Sequence, residues 1–285
     1  KYHPSCWILW RYIMELDTAI EELCKELKLP IIGEKYHDIA SIAAKENWQY
    51  SQFLEEVLKM EVDSRLGRSK NMLTKLAGFP VIKTLEQFDY TFSVGVNRKQ
   101  IEELSSLIFV KKRENIILLG ESGVGKTHLA IALALKAVQH RYKVRFTTIS
   151  ELLSSANRAK KEKKYDGFLK SIASPSVLVI DEIGYFNMSK EEANHFFQII
   201  SKRYEKSSTI FTSNLVFSKW VQVFAGDKIV TTAILDRVLH HSHIINIQGD
   251  SYRLKEKKQT GVLHSEIYKF EVKSSNIEGQ NQEVV

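Results

Sequence analysis

Apolar and polar positions divide the chain into two stretches with different rhythms. Up to about residue 80 the apolar residues recur every three or four positions, the period of one helical face. Ile20, Leu23 and Leu27 mark a first helix, with Thr18 and Glu21 at the spacing of a capping box and Pro30 and Gly33 as punctuation after it. A second helix carries Ile39, Ile42 and Ala43, with Trp48 nearby. A third carries Phe53, Leu54, Val57 and Leu58 behind an expected N-cap at Ser51, turns strongly basic, and stops at Gly78-Phe-Pro80. From about residue 115 short apolar runs replace this period, at residues 116–119, 144–148, 177–180, 209–212 and 244–247, with helical stretches between them. Strands separated by crossover helices build a parallel sheet. The pattern therefore predicts a doubly wound α/β domain with a parallel five-stranded sheet, preceded by a small all-helical domain.

The boundaries follow from these changes of rhythm. Residues 1–13 are set aside as an extension ahead of Met14. Residues 14–80 form the helical domain, 81–114 a linker and the start of the next module, and 115–257 the α/β core. Residues 258–285 lose periodicity and read as a polar, flexible tail. No apolar run approaches the roughly 20 residues of a membrane-spanning helix, so no membrane partner is expected. Two cysteines, Cys6 and Cys24, outside any paired motif, suit a reducing cytoplasm. The net charge of +7 suits a polyanionic partner such as nucleic acid.

The chemistry concentrates at the ends of the predicted strands. Gly120-Glu121-Ser122-Gly123-Val124-Gly125-Lys126-Thr127, followed by His128, has the spacing of a phosphate-binding loop and lies between a buried strand and a helix, as such a loop must. Its glycines let successive N–H groups converge on phosphate oxygens, Lys126 adds a point charge, and the Thr127 hydroxyl suits Mg²⁺. The helix that follows turns its positive N-terminal end toward the nucleotide. The run 177–180 delivers Asp181, placed to hold Mg²⁺, and Glu182, placed to polarise an attacking water. Asn214, at the tip of the next strand, is expected beside that pair, on the lytic water or the γ-phosphate. Arg237, on the helix before the last strand, is the candidate for a charge offered to a neighbouring subunit's nucleotide, with Arg203 as its rival.

Two basic stretches are candidate DNA contacts: Arg65, Arg68, Lys70 and Lys75 on the third helix, and Arg158, Lys160 and Lys161 between the second and third strands. Neither is interleaved with the aromatics of a single-strand stacking site, so duplex backbone is the expected target. His240, His241 and His243 have no cysteine or acid at ligand spacing, so packing or substrate contact is preferred there over a metal.

On these residues the chain resembles the IstB-type transposition helper ATPases of bacterial insertion sequences, AAA+ proteins close to the DnaC helicase loader. The resemblance spans about residues 22 to 257. It is carried by Leu235-Asp-Arg-Val-Leu-His-His-Ser-His243, by Ile244-Ile-Asn-Ile-Gln-Gly-Asp-Ser-Tyr-Arg253, by Thr84-Leu-Glu-Gln-Phe-Asp89 and by Glu205-Lys-Ser-Ser-Thr-Ile-Phe-Thr-Ser-Asn214. It implies an Mg²⁺-dependent ATPase that forms homo-oligomers on duplex DNA and recruits or stimulates a partner transposase. It also implies Lys126 and Thr127 on nucleotide and Mg²⁺, Asp181 and Glu182 as the acidic pair, Asn214 as first sensor and Arg237 as the inter-subunit finger. The chain departs from many AAA+ proteins in leaving no room for a helical lid after the last strand. A DnaC-like helicase loader is the alternative function, and the basic third helix favours the transposition helper.

Overall fold

The computed structural model describes residues 4–252, apart from Val94 and Asp250 and the side chains of residues 4–13. The expected tail and Arg253 lie outside the described residues. The chain divides into two compact units, residues 1–72 and 73–285.

The first unit is helical. Helix α1 spans Pro4–Glu26, α2 Pro30–Glu46, and α3 starts at Tyr50 and continues to Ala77, beyond the unit's limit. α1 crosses the boundary expected at residue 14. Thr18 is therefore not a cap: it lies inside α1, and its hydroxyl donates to the Met14 carbonyl at 2.9 Å, because the helix began well before the capping-box pattern. Pro30 does open α2, at a position that needs no N–H donor. Gly33 interrupts nothing; a Cβ there would come within 3.2 Å of the Cys24 Cβ, so the glycine sets how closely α1 and α2 approach. Ser51 lies one residue inside α3, and Gln52 instead accepts the Gln49 N–H at 2.8 Å.

Glu61 on α3 is buried and accepts the N–H groups of Ile31 and Ile32 at 2.8 and 3.3 Å, so it caps the exposed donors that open α2. Arg65 donates to it at 3.0 Å and to the Lys28 carbonyl, and Arg68 lies 3.4 Å away. These hydrogen bonds hold the Glu61 carboxyl below its usual range against the opposing effect of burial. Two of the basic residues proposed for DNA thus have an intramolecular task, although half of each side chain remains exposed.

The second unit opens with α4 (Arg98–Ser105) and α5 (Ile108–Lys112), then runs β1 (Asn115–Leu119), α6 (Lys126–Gln139), β2 (Val144–Thr148), α7 (Ile149–Lys161), α8 (Tyr165–Ala173), β3 (Val177–Ile183), α9 (Lys190–Arg203), β4 (Ser208–Ser213), α10 (Trp220–Val223), α11 (Lys228–Leu239) and β5 (Ser242–Asn246). The five strands are all parallel, in the order β2-β3-β4-β1-β5. Alternate side chains of each strand enter opposite cores. Ile116, Leu118, Val177 and Val179 pack on one face with Leu129 and Leu133 of α6. Ile117, Leu178 and Ile180 pack on the other with Leu152 of α7, Phe196 of α9 and Ile234 of α11. Sheets covered on both faces need strands apolar throughout, which is why the runs of the sequence are continuous and not alternating.

Arg203, at the end of α9, is 2% exposed. It donates to the Ile172, Pro175 and Ser208 carbonyls at 2.8, 3.1 and 2.6 Å and to Thr209 Oγ1 at 3.1 Å, tying the starts of β3 and β4 to α8 and α9. Burial pulls its pKa down to about 9, which leaves it charged at neutral pH. Arg203→Leu leaves four buried acceptors without a donor. It is expected to cost more than about 3 kcal/mol of stability, read as a lower urea midpoint at unchanged slope.

Candidate active site

The parallel strands bring the tips of β1, β3 and β4 to one edge of the sheet, where ligands of such folds bind. Residues 120–125 curl between β1 and α6. Gly123 and Gly125 have φ of +87° and +101°. A Cβ at Gly125 would stand 2.7 Å from the Phe88 ring and one at Gly123 would stand 2.2 Å from Ser251 Oγ, so both the backbone twist and its surroundings demand glycine. No side chain caps α6, so its first N–H groups are available to an anion. Lys126 is nearly buried, and its ammonium donates to the Gly120 and Glu121 carbonyls at 2.7 and 2.6 Å, which holds the loop in its curl.

Beside this loop Asp181 is 4% exposed and accepts from Thr127 Oγ1 at 3.0 and 3.1 Å and from Thr212 Oγ1. In a regular strand the next residue would point to the opposite face. Here β3 carries a bulge: Ile180 pairs with Phe211 but Ile183 with Ser213, so Asp181 and Glu182 together oppose Thr212 alone. Glu182 adopts φ +68°, and its N–H donates to Thr212 Oγ1 at 3.0 Å. A non-glycine residue in this region costs about 1–2 kcal/mol. That strain lets both adjacent carboxylates line a single cleft of about 460 Å³ with Lys126 and Thr127. Thr212 is the hinge of the arrangement, and the sequence pattern gave it no role.

Asn214 follows the tip of β4 and lies against Gly184, where a Cβ would come within 2.6 Å of its Oδ1. That amide oxygen is buried without a hydrogen-bond partner among the described residues. Asn214 borders a second cavity with Gly120 and Glu121 and is not among the residues lining the cleft of Asp181 and Glu182.

The segment before β1 completes the cleft. Thr84, whose carbonyl meets His128 Nε2 at 2.8 Å, ties it to α6. Phe88 packs edge-on against His128 and Tyr90, with centroids 5.3 and 5.0 Å apart. Burial lowers the His128 pKa, so the ring stays neutral at pH 7. Val81, Ile82, Phe92 and Tyr252 add an apolar wall of the kind a nucleobase needs. Tyr185 donates to Ser122 Oγ at 3.2 Å across the mouth of the loop. The residues fit Mg²⁺ with a triphosphate: a hydroxyl and a buried carboxylate already face each other, and the orphaned Asn214 oxygen lies on the neighbouring strand tip.

Arg237 is elsewhere. Its guanidinium donates to the Ala233 carbonyl at 2.8 Å and lies over the Phe197 and Tyr204 rings, 5.0 and 6.0 Å from their centroids. It borders a small cavity with Asn115, the first residue of β1, while the phosphate loop follows the last. Five residues of strand, about 16 Å, separate those two ends. Its rival Arg203 is enclosed by the bonds described above. Among the basic candidates Lys70, Lys75, Arg158 and Lys161 are exposed, and Lys160 pairs with Glu191 at 2.8 Å. None of the described helices is long and apolar enough to cross a membrane.

A parallel sheet in this order, a glycine loop entering α6 and an acidic pair at the tip of β3 define a nucleotide-binding protein of the P-loop AAA+ class. Within that class the chain belongs to the IstB-like ATP-binding protein family, whose sequence pattern matches residues 22–260. It is 46% identical over 244 residues to an ATP-binding protein of insertion sequence IS21 from Pseudomonas aeruginosa, covering 86% of this chain and 92% of that one. It is 41% identical over 243 residues to the ATP-binding protein of insertion sequence IS5376 from Geobacillus stearothermophilus, covering 85% and 96%. Among solved structures, that of DnaI aligns over 58% of this chain and 91% of its own, at 23% identity and a TM-score of 0.49.

Proposed function

We propose that the chain is an Mg²⁺-dependent ATPase of the cytoplasm that assembles with ATP on duplex DNA and recruits or stimulates a transposase, hydrolysis resetting the complex. The observation that carries the reading is the bulge that aims Asp181 and Glu182 into one cleft with Lys126 and Thr127. Nucleotide binding alone needs the loop and its lysine. A second acid, turned at the expense of backbone strain toward the same space, supplies what hydrolysis adds.

Each group has a task. Lys126 and the first N–H groups of α6 bind the phosphates; Thr127 and Asp181 would hold the metal. When bound, Mg²⁺ neutralises charge between the phosphate oxygens. Glu182 takes the proton of the attacking water, and Asn214, which borders the adjoining cavity with Gly120 and Glu121, is assigned to the γ-phosphate or that water. Phe92, Ile82 and Tyr252 receive the base and exclude solvent around it.

Arg237 acts on the nucleotide of an adjacent chain, since its own nucleotide lies at the far end of β1. Arg237→Ala should bind ATP within about threefold of wild type yet hydrolyse it roughly 10³-fold more slowly, as measured by phosphate release at a fixed high protein concentration. Wild-type turnover by this variant would remove the trans role.

The direct test of the whole reading is ATP-dependent binding to a plain duplex as salt is varied. Lys70, Lys75, Arg158 and Lys161, with the exposed parts of Arg65, Arg68 and Lys160, provide the cationic contacts. For Z phosphates neutralised, log affinity falls with log salt at a slope of about −0.9Z for duplex DNA. We expect a slope steeper than about −3, reduced by removing Arg158 and Lys161 together. A flat salt response takes duplex DNA off the partner list.

A further inference from the structure

Beyond Asp236, one turn before His240, the sequence sets no acid beside the histidines that follow α11. The fold supplies one. Glu205, in the turn between α9 and β4, comes within 3.9 Å of both His240 Nδ1 and His241 Nε2 through a single carboxylate oxygen, Oε1. The three ligand atoms all lie within 4.8 Å of one another. We infer that Glu205, His240 and His241 form a binding site for a divalent transition-metal ion of the zinc class, outside the nucleotide cleft.

The ligand chemistry favours such an ion. Two imidazoles and one carboxylate form a set used by Zn²⁺, with bonds of about 2.0–2.2 Å and ligand atoms about 3.4 Å apart in a tetrahedral arrangement. The present separations have to close by about 0.5 to 1.4 Å to reach it, within the reach of side-chain torsions. Mg²⁺ and Ca²⁺ prefer oxygen donors and octahedral or higher coordination, so they are disfavoured here.

The frame around these ligands is built in advance. The Glu205 backbone sits at φ +56°, and Arg113 Nη1 holds its carbonyl at 2.9 Å. The His241 carbonyl accepts the Asn115 N–H at 2.7 Å, which fixes this residue to the start of β1. The rings of His240 and His241 lie 4.0 Å apart, tilted by 41°, and present different nitrogens to the same carboxylate. His240 Nδ1 meets the Tyr204 hydroxyl at 2.7 Å, so an ion takes that nitrogen in exchange for one neutral hydrogen bond. All three side chains are about half exposed, which gives the ion an entry path and leaves a coordination position for water. His243 has a different partner: its Nε2 pairs with Glu114 at 2.8 Å. It is the internal control.

The test uses the full chain, purified without a histidine tag and stripped with a chelator, in nucleotide-free buffer. Zn²⁺ is titrated in competition with a chromogenic chelator, and Co²⁺ is titrated while visible absorption is recorded. One Zn²⁺ per chain is expected at micromolar concentration, with Co²⁺ giving the visible bands of a low-coordinate site. Glu205→Gln and His241→Ala should each weaken Zn²⁺ binding at least about tenfold and abolish those bands, whereas His243→Ala should leave both unchanged. The inference fails if wild type does not compete for Zn²⁺ at micromolar concentration, or if Glu205→Gln titrates like wild type. Both readouts are taken without nucleotide, so their failure is distinguishable from a failure of the proposed ATPase cycle, although Arg237 borders the same cavity as Glu205 and His241.

Discussion

Replacing Lys126 by alanine is expected to weaken ATP binding by about a hundredfold or more. Charge-assisted hydrogen bonds to an ionised partner are each worth about 1.5–3 kcal/mol, and the Lys126 ammonium can give more than one to a triphosphate. The same nitrogen closes the loop onto the Gly120 and Glu121 carbonyls, so its removal also loosens the curl that presents the N–H groups. Lys126 is nearly buried, and Lys83 is the one other lysine among the described residues lining the cleft. Equilibrium binding of a fluorescent ATP analogue measures the loss directly, and an affinity within threefold of wild type would sink the assignment. Because the proposed assembly on DNA depends on nucleotide, the variant should also stay unassembled with ATP and duplex present.

Glu182→Gln is the complementary case. The substitution keeps the size and the exposed position of the side chain, and the backbone N–H to Thr212 is untouched. ATP affinity is therefore expected to change by less than about threefold. Turnover loses the group that accepts the water's proton, a contribution of typically 10²–10⁴-fold. Single-turnover hydrolysis separates the two effects. Slow hydrolysis with retained binding leaves long-lived complexes on DNA, visible as slowed dissociation. Hydrolysis at the wild-type rate would mean that another group, and not Glu182, is the base.

The sheet was legible because buried parallel strands write themselves as continuous apolar runs: the run at 144–148 has the bounds of β2, and those at 116–119, 177–180 and 209–212 differ from β1, β3 and β4 by one to three residues. The fifth run starts two residues inside β5, since Ser242 and His243 are polar residues at a sheet edge. The phosphate loop and the acidic pair were legible as motifs. The bulge that makes the pair useful was not, because Glu182 at positive φ looks like any glutamate until its neighbours fix it. Helices α4 and α5 were hidden in a segment too polar and too short to show a period, and so was the packing of Phe88 and Thr84 on the loop. Thr18 misled for a reason of scale: a capping box is a local pattern, and α1 had already started. Glu205 could not be paired with His240 and His241 from the sequence, since only the turns after α9 and α11, brought to one end of β4 and β1, put them together.

If Arg237 serves a neighbouring chain, as proposed, its separation from its own phosphate loop along the length of β1 sets a polarity for the assembly. When one chain's guanidinium serves its neighbour's nucleotide, the two partners meet through different surfaces, and such head-to-tail contacts extend without closing unless the rotation completes a ring. Any open row then has one terminal chain whose nucleotide receives no arginine and another whose arginine has nothing to serve. The fraction of competent sites grows with the length of the row, so short assemblies are intrinsically slow and long ones are spent first in their interior.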